Sequence, residues 1–308
     1  MTFRPGIAVL LPLLAAASPA AVEQQEEEAF RISVDVNLVV LHVSVHDRHE
    51  GDVVNLRQQD FTVLEDGVPQ TISMFRREDA PVTAGLIVDH SGSMSAKLGQ
   101  VIAAAGIFAG ASNPKDQIFV VNFNEKVRFG LWGATKFTDD PIILANAIAG
   151  VPAVGKTALY DAIAAGLDQL DTGHWDKKVL LVISDGGDNA SVHQLQGVIG
   201  MAERSSAVVY AIGMFDNDDK DANPRVLKRL AEETGGEAFF PKETNDVVEI
   251  CAHIANDIRN QYTIGYVSSN VLPDGTRRSV KLLAKAPDSG ARLHVRTRSS
   301  YIAQGAGK

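Results

Sequence analysis

Between about residues 81 and 260, short apolar runs alternate with helical stretches, and this alternation restricts the chain to few folds. Runs such as "AGLIVD" (84–89) and "VLLVIS" (179–184) are almost continuously apolar, as strands are when helices bury both of their faces. The pattern therefore predicts an α/β fold whose mostly parallel sheet is covered by helices. Only the connection "NFNEKV" is short enough for a hairpin, so one edge strand should be antiparallel.

The predicted sheet is doubly wound, with six strands in the order 3-2-1-4-5-6. We expect its strands at residues 84–89, 117–123, 126–132, 179–184, 207–213 and 236–240. Apolar periodicity and helix start signals predict helices at about residues 96–111, 140–149, 157–170, 191–204, 224–234 and 244–259.

Strand-like alternation marks both flanks of this region, at residues 31–78 and 261–303. Each flank alone has too few strands to bury a core. Together they predict a small β-sandwich into which the α/β domain, residues 81–260, is inserted. Insertion of this kind is tolerated because the two ends of a compact domain commonly lie close together.

The first residues predict export. Residues 1–21 combine Arg4, an apolar run from Ile7 to Ala17 and small residues after it, which is the pattern of a signal peptide. The apolar run is too short for a stable membrane anchor, so we expect no membrane span after its removal and a periplasmic or extracellular protein. Residues 22–30 read as an acidic flexible lead-in. Cys251, the single cysteine of the chain, excludes an internal disulfide and is expected in the core.

The charge of the chain excludes one large class of partners. A formal net charge of −9 over 308 residues argues against nucleic acid, because a phosphate backbone requires clustered Lys and Arg. The one dense basic cluster, residues 292–298, alternates like a strand and is predicted to be a solvated face.

The stretch "GVPAVGKTALYD" (150–161) fits two chemistries. Gly150, Gly155, Lys156 and Thr157 complete the pattern G-x-x-x-x-G-K-[ST] of phosphate-binding loops. Such a loop requires a buried strand directly before it, whereas the preceding "DDPIILANAIAG" predicts a short helix. Hydrolysis of nucleotides through residues 150–157 therefore remains the alternative to a role of Thr157 in metal binding.

A second oxygen-rich loop favours the metal interpretation. "GLIVDHSGSMS" ends a buried strand in Asp89, with Ser91 and Ser93 at alternate positions. Asp185 ends the predicted fourth strand, which neighbours the first, and ligands bind above the carboxyl ends of such strands. Carboxylates and hydroxyls suit a hard divalent cation such as Mg²⁺, or Mn²⁺ or Ca²⁺ in its place. We therefore expect Thr157 to join these residues in one metal site.

These residues carry a family resemblance. Asp89-x-Ser91-x-Ser93, Thr157 in "GKTALYDAI" and Asp185 in "LLVISDGGDN" resemble the metal-ion-dependent adhesion site (MIDAS) of von Willebrand factor type A (VWFA) domains. The flanks "FTVLEDGVPQTISMF" and "QYTIGYVSSN…DGTRRSVKLL" resemble exported, VWFA-related bacterial proteins common among Acidobacteria. His90 departs from the family pattern, in which a small or polar residue is more usual.

The resemblance implies a binding module. Ser91, Ser93 and Thr157 would bind Mg²⁺ directly, Asp89 and Asp185 would orient waters, and an Asp or Glu of a partner protein would complete the coordination. Hydroxyl ligands are neutral, so the cation would keep most of its charge and attract that carboxylate.

Enzyme activity lacks a catalytic group in the sequence. There is no G-x-S-x-G nucleophile elbow and no H-E-x-x-H motif, so we expect an exported adhesion or scaffold module rather than an enzyme. Hydrolysis, by the 150–157 loop or by a metal-bound water, stays the alternative. A metal that only stabilises the loops is a third possibility. Asp188 and Asn189 are expected to cap the helix predicted at 191–204.

Overall fold

A computed structural model of the protein describes residues 38–47, 51, 53, 55–77, 79–215, 221–243, 245–272 and 274–303. The predicted signal peptide, 1–21, and lead-in, 22–30, lie outside these residues. Within the described ranges, no helix combines the length and the apolar composition needed to cross a bilayer.

Strands and helices alternate through the middle of the chain, and strands dominate its two flanks. The strands are β1 (Leu38–His46), β2 (Phe61–Glu65), β3 (Val68–Gln70), β4 (Ile72–Arg76), β5 (Thr83–Asp89), β6 (Gln117–Phe123), β7 (Val127–Phe129), β8 (Lys178–Ser184), β9 (Val208–Gly213), β10 (Ala238–Phe239), β11 (Tyr262–Val267), β12 (Arg277–Ala284), β13 (His294–Arg296) and β14 (Ser300–Ile302). The helices are α1 (Leu98–Gly110), α2 (Pro141–Ala149), α3 (Leu159–Leu170), α4 (Leu195–Ser205), α5 (Pro224–Thr234) and α6 (Asp246–Asn260).

The central sheet has the predicted topology. Its six strands lie in the order β10-β9-β8-β5-β6-β7, which is 3-2-1-4-5-6 when β5 is counted as the first strand. All neighbouring pairs are parallel except β6 and β7, which pair antiparallel at one edge. Every residue of β5 is buried. The carboxyl ends of β5 and β8 therefore lie side by side in the middle of the sheet.

Helices cover both faces of this sheet. On one face α1, α2 and α6 pack through residues such as Phe108, Leu144 and Ile254, and on the other α3, α4 and α5 pack through residues such as Leu167 and Leu230. Full burial of one large aliphatic side chain contributes roughly 1.5–3 kcal/mol, so both layers stabilise the fold. The helices cover the faces of the sheet, and loops cover its carboxyl edge.

The two flanks combine into paired antiparallel sheets. One sheet has the order β13-β1-β11-β4 and the other β14-β12-β2-β3, so each contains strands from before β5 and after α6. Their facing residues form one core that includes Leu41, Phe61, Tyr262 and Leu282. The α/β region thus follows β4 and precedes β11, as an insertion into a sandwich requires.

Two side-chain predictions have different outcomes. Cys251 is buried in the core, where burial raises the pKa of its thiol to about 12. The prediction of a solvated face for residues 292–298 is wrong: Arg292 is exposed, but Arg296 forms ion pairs with Asp257 and Glu237. Carboxylates far away in the sequence supply these partners, so the local pattern contained no sign of them.

Candidate functional site

Asp89 organises the loop that follows β5. Its carboxylate is fully buried, with Oδ1 accepting a hydrogen bond from the Ser91 amide at 2.7 Å and Oδ2 accepting one from the Ser184 hydroxyl at 2.6 Å. The first bond folds the chain back after the strand and the second joins the ends of β5 and β8. Asp89 therefore holds the serine-containing loop, residues 90–95, over the crevice between these strands.

Ser91, Ser93 and Asp185 are in direct contact. The two serine hydroxyl oxygens lie 3.1 Å apart, and the Ser93 hydroxyl donates to Oδ2 of Asp185 at 2.5 Å. The other carboxylate oxygen of Asp185 accepts from the Gly187 amide at 2.8 Å. The structure thus brings together two hydroxyls from the loop after β5 and a carboxylate from the end of β8.

Thr157 is held against both of these loops through its own loop. The Gly92 amide donates to the Gly155 carbonyl at 3.3 Å, which joins the 150–157 loop to the serine loop. The Thr157 amide donates to Oδ1 of Asn189 at 2.9 Å, and its carbonyl accepts from the Asn189 amide at 2.9 Å. Thr157 is 6% exposed, so it lies buried where the three predicted loops meet.

The two carboxylates of this cluster are not paired with a cationic side chain of the described residues. Asp89 and Asp185 are 0% and 3% exposed, and neither forms an ion pair within the described residues. Burial raises the pKa of Asp89 from 3.8 to about 6, despite hydrogen bonds from Ser184 and Ser91 that act in the opposite direction, and the Asp185 charge raises it further. Two buried carboxyl groups next to hydroxyl oxygens fit a divalent cation of oxygen preference.

Other metal chemistry finds no support in the described part of the chain. The described residues include no group of three or more His, Cys, Asp or Glu side chains placed to bind a metal ion. The cluster around Ser91 and Ser93 has a different composition, because most of its donors are hydroxyls. Its donor set therefore suits Mg²⁺ better than Zn²⁺, which prefers imidazole and thiolate ligands.

His90 points away from the cluster and connects other elements to it. Its Nδ1 donates to the Val151 carbonyl at 3.0 Å, and its Nε2 lies 2.9 Å from Oδ1 of Asn122. Asn122 in turn donates to the Ala147 carbonyl at 2.8 Å. The residue that departs from the family pattern thus ties the serine loop to β6, to the end of α2 and to the loop that carries Thr157.

The prediction for Asp188 and Asn189 is wrong. They do not cap α4. Oδ2 of Asp188 accepts from the Tyr160 amide at 3.0 Å, in the first turn of α3, and Asn189 holds Thr157 as described above. Asp161 in the same turn accepts from the amides of Val192 and His193. The start of α3 and the 185–193 loop are thus joined by hydrogen bonds in both directions, each from a main-chain amide of one to an aspartate of the other. These contacts are distant in sequence, so the local pattern does not reveal them.

The phosphate-loop interpretation lacks its structural requirement. Helix α2 and not a strand precedes residues 150–157. The Lys156 amide, which would face a phosphate in such a loop, donates to the carboxylate of Glu125 at 3.2 Å. An anion of the chain itself therefore occupies one of the amides that a nucleotide would need.

Comparison with known proteins identifies the family. The profile of the von Willebrand factor type A domain matches residues 85–252, which is more than half of the chain. No curated protein matches the sequence.

Solved structures share the fold at low identity. A von Willebrand factor type A protein from Catenulispora acidiphila aligns with a TM-score of 0.52 and 13% identity over 86% of this chain and 73% of its own. Proximal thread matrix protein 1 from the mussel byssus aligns with a TM-score of 0.52 and 15% identity, over 63% of this chain and 51% of its own. The vWF domain of the type V pili tip protein Mfa5 from Porphyromonas gingivalis aligns with a TM-score of 0.50 and 14% identity, over 58% of this chain and 95% of its own.

Such domains are commonly protein-interaction modules and are generally not enzymes. The matched range contains Asp89, Ser91, Ser93, Thr157 and Asp185, and the sheet has the family's topology. The chain belongs to the von Willebrand factor type A domain family.

Proposed function

We propose that this protein is an exported, metal-dependent protein-binding module, an adhesin or an envelope scaffold. One observation carries the proposal: two buried carboxylates, which have no cationic partner among the described residues, contact or adjoin the Ser91 and Ser93 hydroxyls at the carboxyl edge of the sheet. Ser91, Ser93 and Thr157 would hold Mg²⁺ directly, while Asp89 and Asp185 would hold its water ligands. When bound, the cation supplies a poorly neutralised positive charge that a carboxylate from outside can approach.

The surroundings of the site suit a protein partner. Ser93 is exposed, so the cluster opens to solvent on one side. Val154 and Val192, in the two adjoining loops, are 54% and 90% exposed. Hydrogen bonds from main-chain amides hold both loops: the Val154 amide donates to the His90 carbonyl, and the Val192 amide donates to the Asp161 carboxylate. A partner that presents an Asp or Glu would therefore also bury apolar surface beside the cation.

Calorimetry tests the metal site. We expect Mg²⁺ to bind the native protein and to bind Asp89→Ala and Ser93→Ala much more weakly. Ser95→Ala is the matched control, since Ser95 is an exposed serine of the same turn and should leave the affinity unchanged. Equal affinity for the native protein and Asp89→Ala would disprove the site assignment.

The binding function needs a second experiment. We expect envelope proteins to be recovered by the native protein in Mg²⁺, and neither in chelator nor by Ser93→Ala. Melting that responds to chelator while no partner is recovered would mean that the metal only stabilises the loops. ATP hydrolysis by the purified protein that Lys156→Ala abolished, with its fold intact, would instead establish the hydrolase alternative.

A further inference from the structure

A cavity of about 510 Å³ lies where the end of α4 meets β1, β12 and β14. Its volume is in the range of small-molecule sites. Its polar side is lined by residues that include Arg204, Ser206, Arg278 and Arg298, and none of the residues assigned to the metal site lines it. The cavity is therefore a separate feature, and three guanidinium groups surround it in a chain whose net charge is −9.

Arg298 is a partly buried cation that forms no ion pair with a carboxylate of the described residues. In the described part of the chain its two terminal nitrogens donate to neutral acceptors, the Ser206 hydroxyl at 2.8 Å and the Val40 carbonyl at 3.0 Å, and it forms no ion pair. Its guanidinium carbon lies 5.5 Å from the centre of the Tyr301 ring. Burial lowers the pKa of Arg298, and the Glu203 charge acts in the opposite direction without cancelling this effect.

The other charged groups around the cavity do not supply the missing anion. Arg278 pairs with the buried Glu65. The Glu203 carboxylate, which also lines the cavity, accepts from Arg277 and from the Ser300 hydroxyl. Arg204 is exposed and has no ion pair within the described ranges. Two arginines that form no ion pair within the described ranges therefore line the cavity, together with one carboxylate that already binds Arg277.

The rest of the lining is mixed: Ser268 and Asn270 are polar, and the other part forms an apolar wall. Leu38, Val39, Ile302 and Ala303 line it beside the guanidinium groups. An inorganic anion would satisfy the charge of Arg298 but would leave this aliphatic wall and most of the volume unfilled. A carboxylate on a short aliphatic body would satisfy both, because arginine binds carboxylates with directed, charge-assisted hydrogen bonds.

We propose that this cavity is a binding site for a small organic carboxylate, with Arg298 as its main anchor and Arg204 as a secondary one. The aliphatic part of the ligand lies against the apolar wall. The site is independent of the metal site, so the proposal stands whether or not the protein binds Mg²⁺.

Ligand titration followed by amide NMR, in chelator, tests the site without interference from the metal site. The probes are hexanoate, the neutral hexanamide and inorganic phosphate. We expect saturable shifts for hexanoate at the Ser206 and Ala303 amides and at least about tenfold weaker binding of hexanamide, because a charge-assisted hydrogen bond is roughly twice as strong as a neutral one. Phosphate should also bind at least about tenfold more weakly than hexanoate, because it leaves the apolar wall uncovered. Arg298→Gln should weaken hexanoate binding by about tenfold or more and Arg204→Gln by less. Arg292→Gln, which changes an exposed arginine of the same segment, should have no effect.

Each other outcome overturns the proposal or a part of it. Absence of saturable hexanoate shifts in the native protein would refute the site, and this result requires no variant to fold. Equal binding of hexanamide would remove the role of the arginine charge, and equal binding of phosphate would remove the role of the apolar wall. Arg298→Lys keeps the positive charge but not the guanidinium contacts to Ser206 and Val40. Its melting curve reports the loss of those contacts, and its affinity for hexanoate reports the loss of the ligand anchor.

Discussion

Replacement of Asp89 by asparagine should stabilise the metal-free protein at neutral pH. The pKa of Asp89 is raised from 3.8 to about 6 by burial. The protonated Asp89 carboxyl group is thus favoured in the folded state, and its contribution to stability is fully present below about pH 4. This contribution is lost as the pH rises through about 6, where the buried group must ionise. At about 1.4 kcal/mol for each pH unit, the penalty at pH 7 is roughly 3 kcal/mol.

Asparagine avoids this penalty with little change of contacts. Its Oδ1 can still accept from the Ser91 amide, and its amide nitrogen can donate to the Ser184 hydroxyl, which now donates to Asp89. After an allowance for imperfect exchange of that bond, we expect Asp89→Asn to raise the free energy of unfolding by about 1–3 kcal/mol at pH 7. The gain should shrink to a few tenths of a kcal/mol near pH 4.

Urea unfolding in chelator, followed by circular dichroism, measures this difference. The control is Asp171→Asn, an exposed aspartate paired with Lys178, which should change stability by at most about 0.5 kcal/mol at either pH. Addition of Mg²⁺ should stabilise the native protein and leave Asp89→Asn unchanged. A variant that is no more stable than the native protein at pH 7, or that gains equally at both pH values, would refute the reasoning.

Three further predictions use the same structure. Mg²⁺ affinity should fall about tenfold for each pH unit below about 6, as Asp89 takes up a proton; calorimetry that gives one affinity from pH 7 to pH 5 would contradict this. Asp188→Ala removes the acceptor of the Tyr160 amide and should cost about 1 kcal/mol of unfolding free energy, whereas an unchanged urea midpoint would show that this hydrogen bond contributes nothing. Cys251, buried and with a pKa of about 12, should react with a thiol reagent only in denaturant, and rapid labelling of the folded protein would be inconsistent with its burial.

Periodicity predicted the central sheet because it is a local property. The predicted strands at 117–123 and 179–184 lie within one residue of β6 and β8 at each end. Buried strands need unbroken apolar runs, and each run can be recognised from its own residues. The start of α4 was predicted less well, at residue 191 instead of Leu195, because Asp161 of α3 holds the Val192 and His193 amides in a loop.

The candidate site was only partly visible in the sequence. The D-x-S-x-S pattern and the strand order together predicted that Asp89, Ser91, Ser93 and Asp185 would meet, and hydrogen bonds join them in the structure. Their role as metal ligands stays a prediction. Nothing in the local pattern showed that His90 would join the serine loop to Asn122 and Val151.

The amino-acid sequence alone determined which segments are strands and helices, and which oxygen-bearing side chains stand at the ends of the strands. Tertiary structure alone decided how the charges are compensated. Arg296 pairs with Asp257, whereas Arg298 donates to Val40 and Ser206 and forms no ion pair among the residues that the structure describes. The physical reason is that apolar periodicity depends on neighbours a few residues away, whereas the partner of a buried charge is whatever group the packed fold brings beside it.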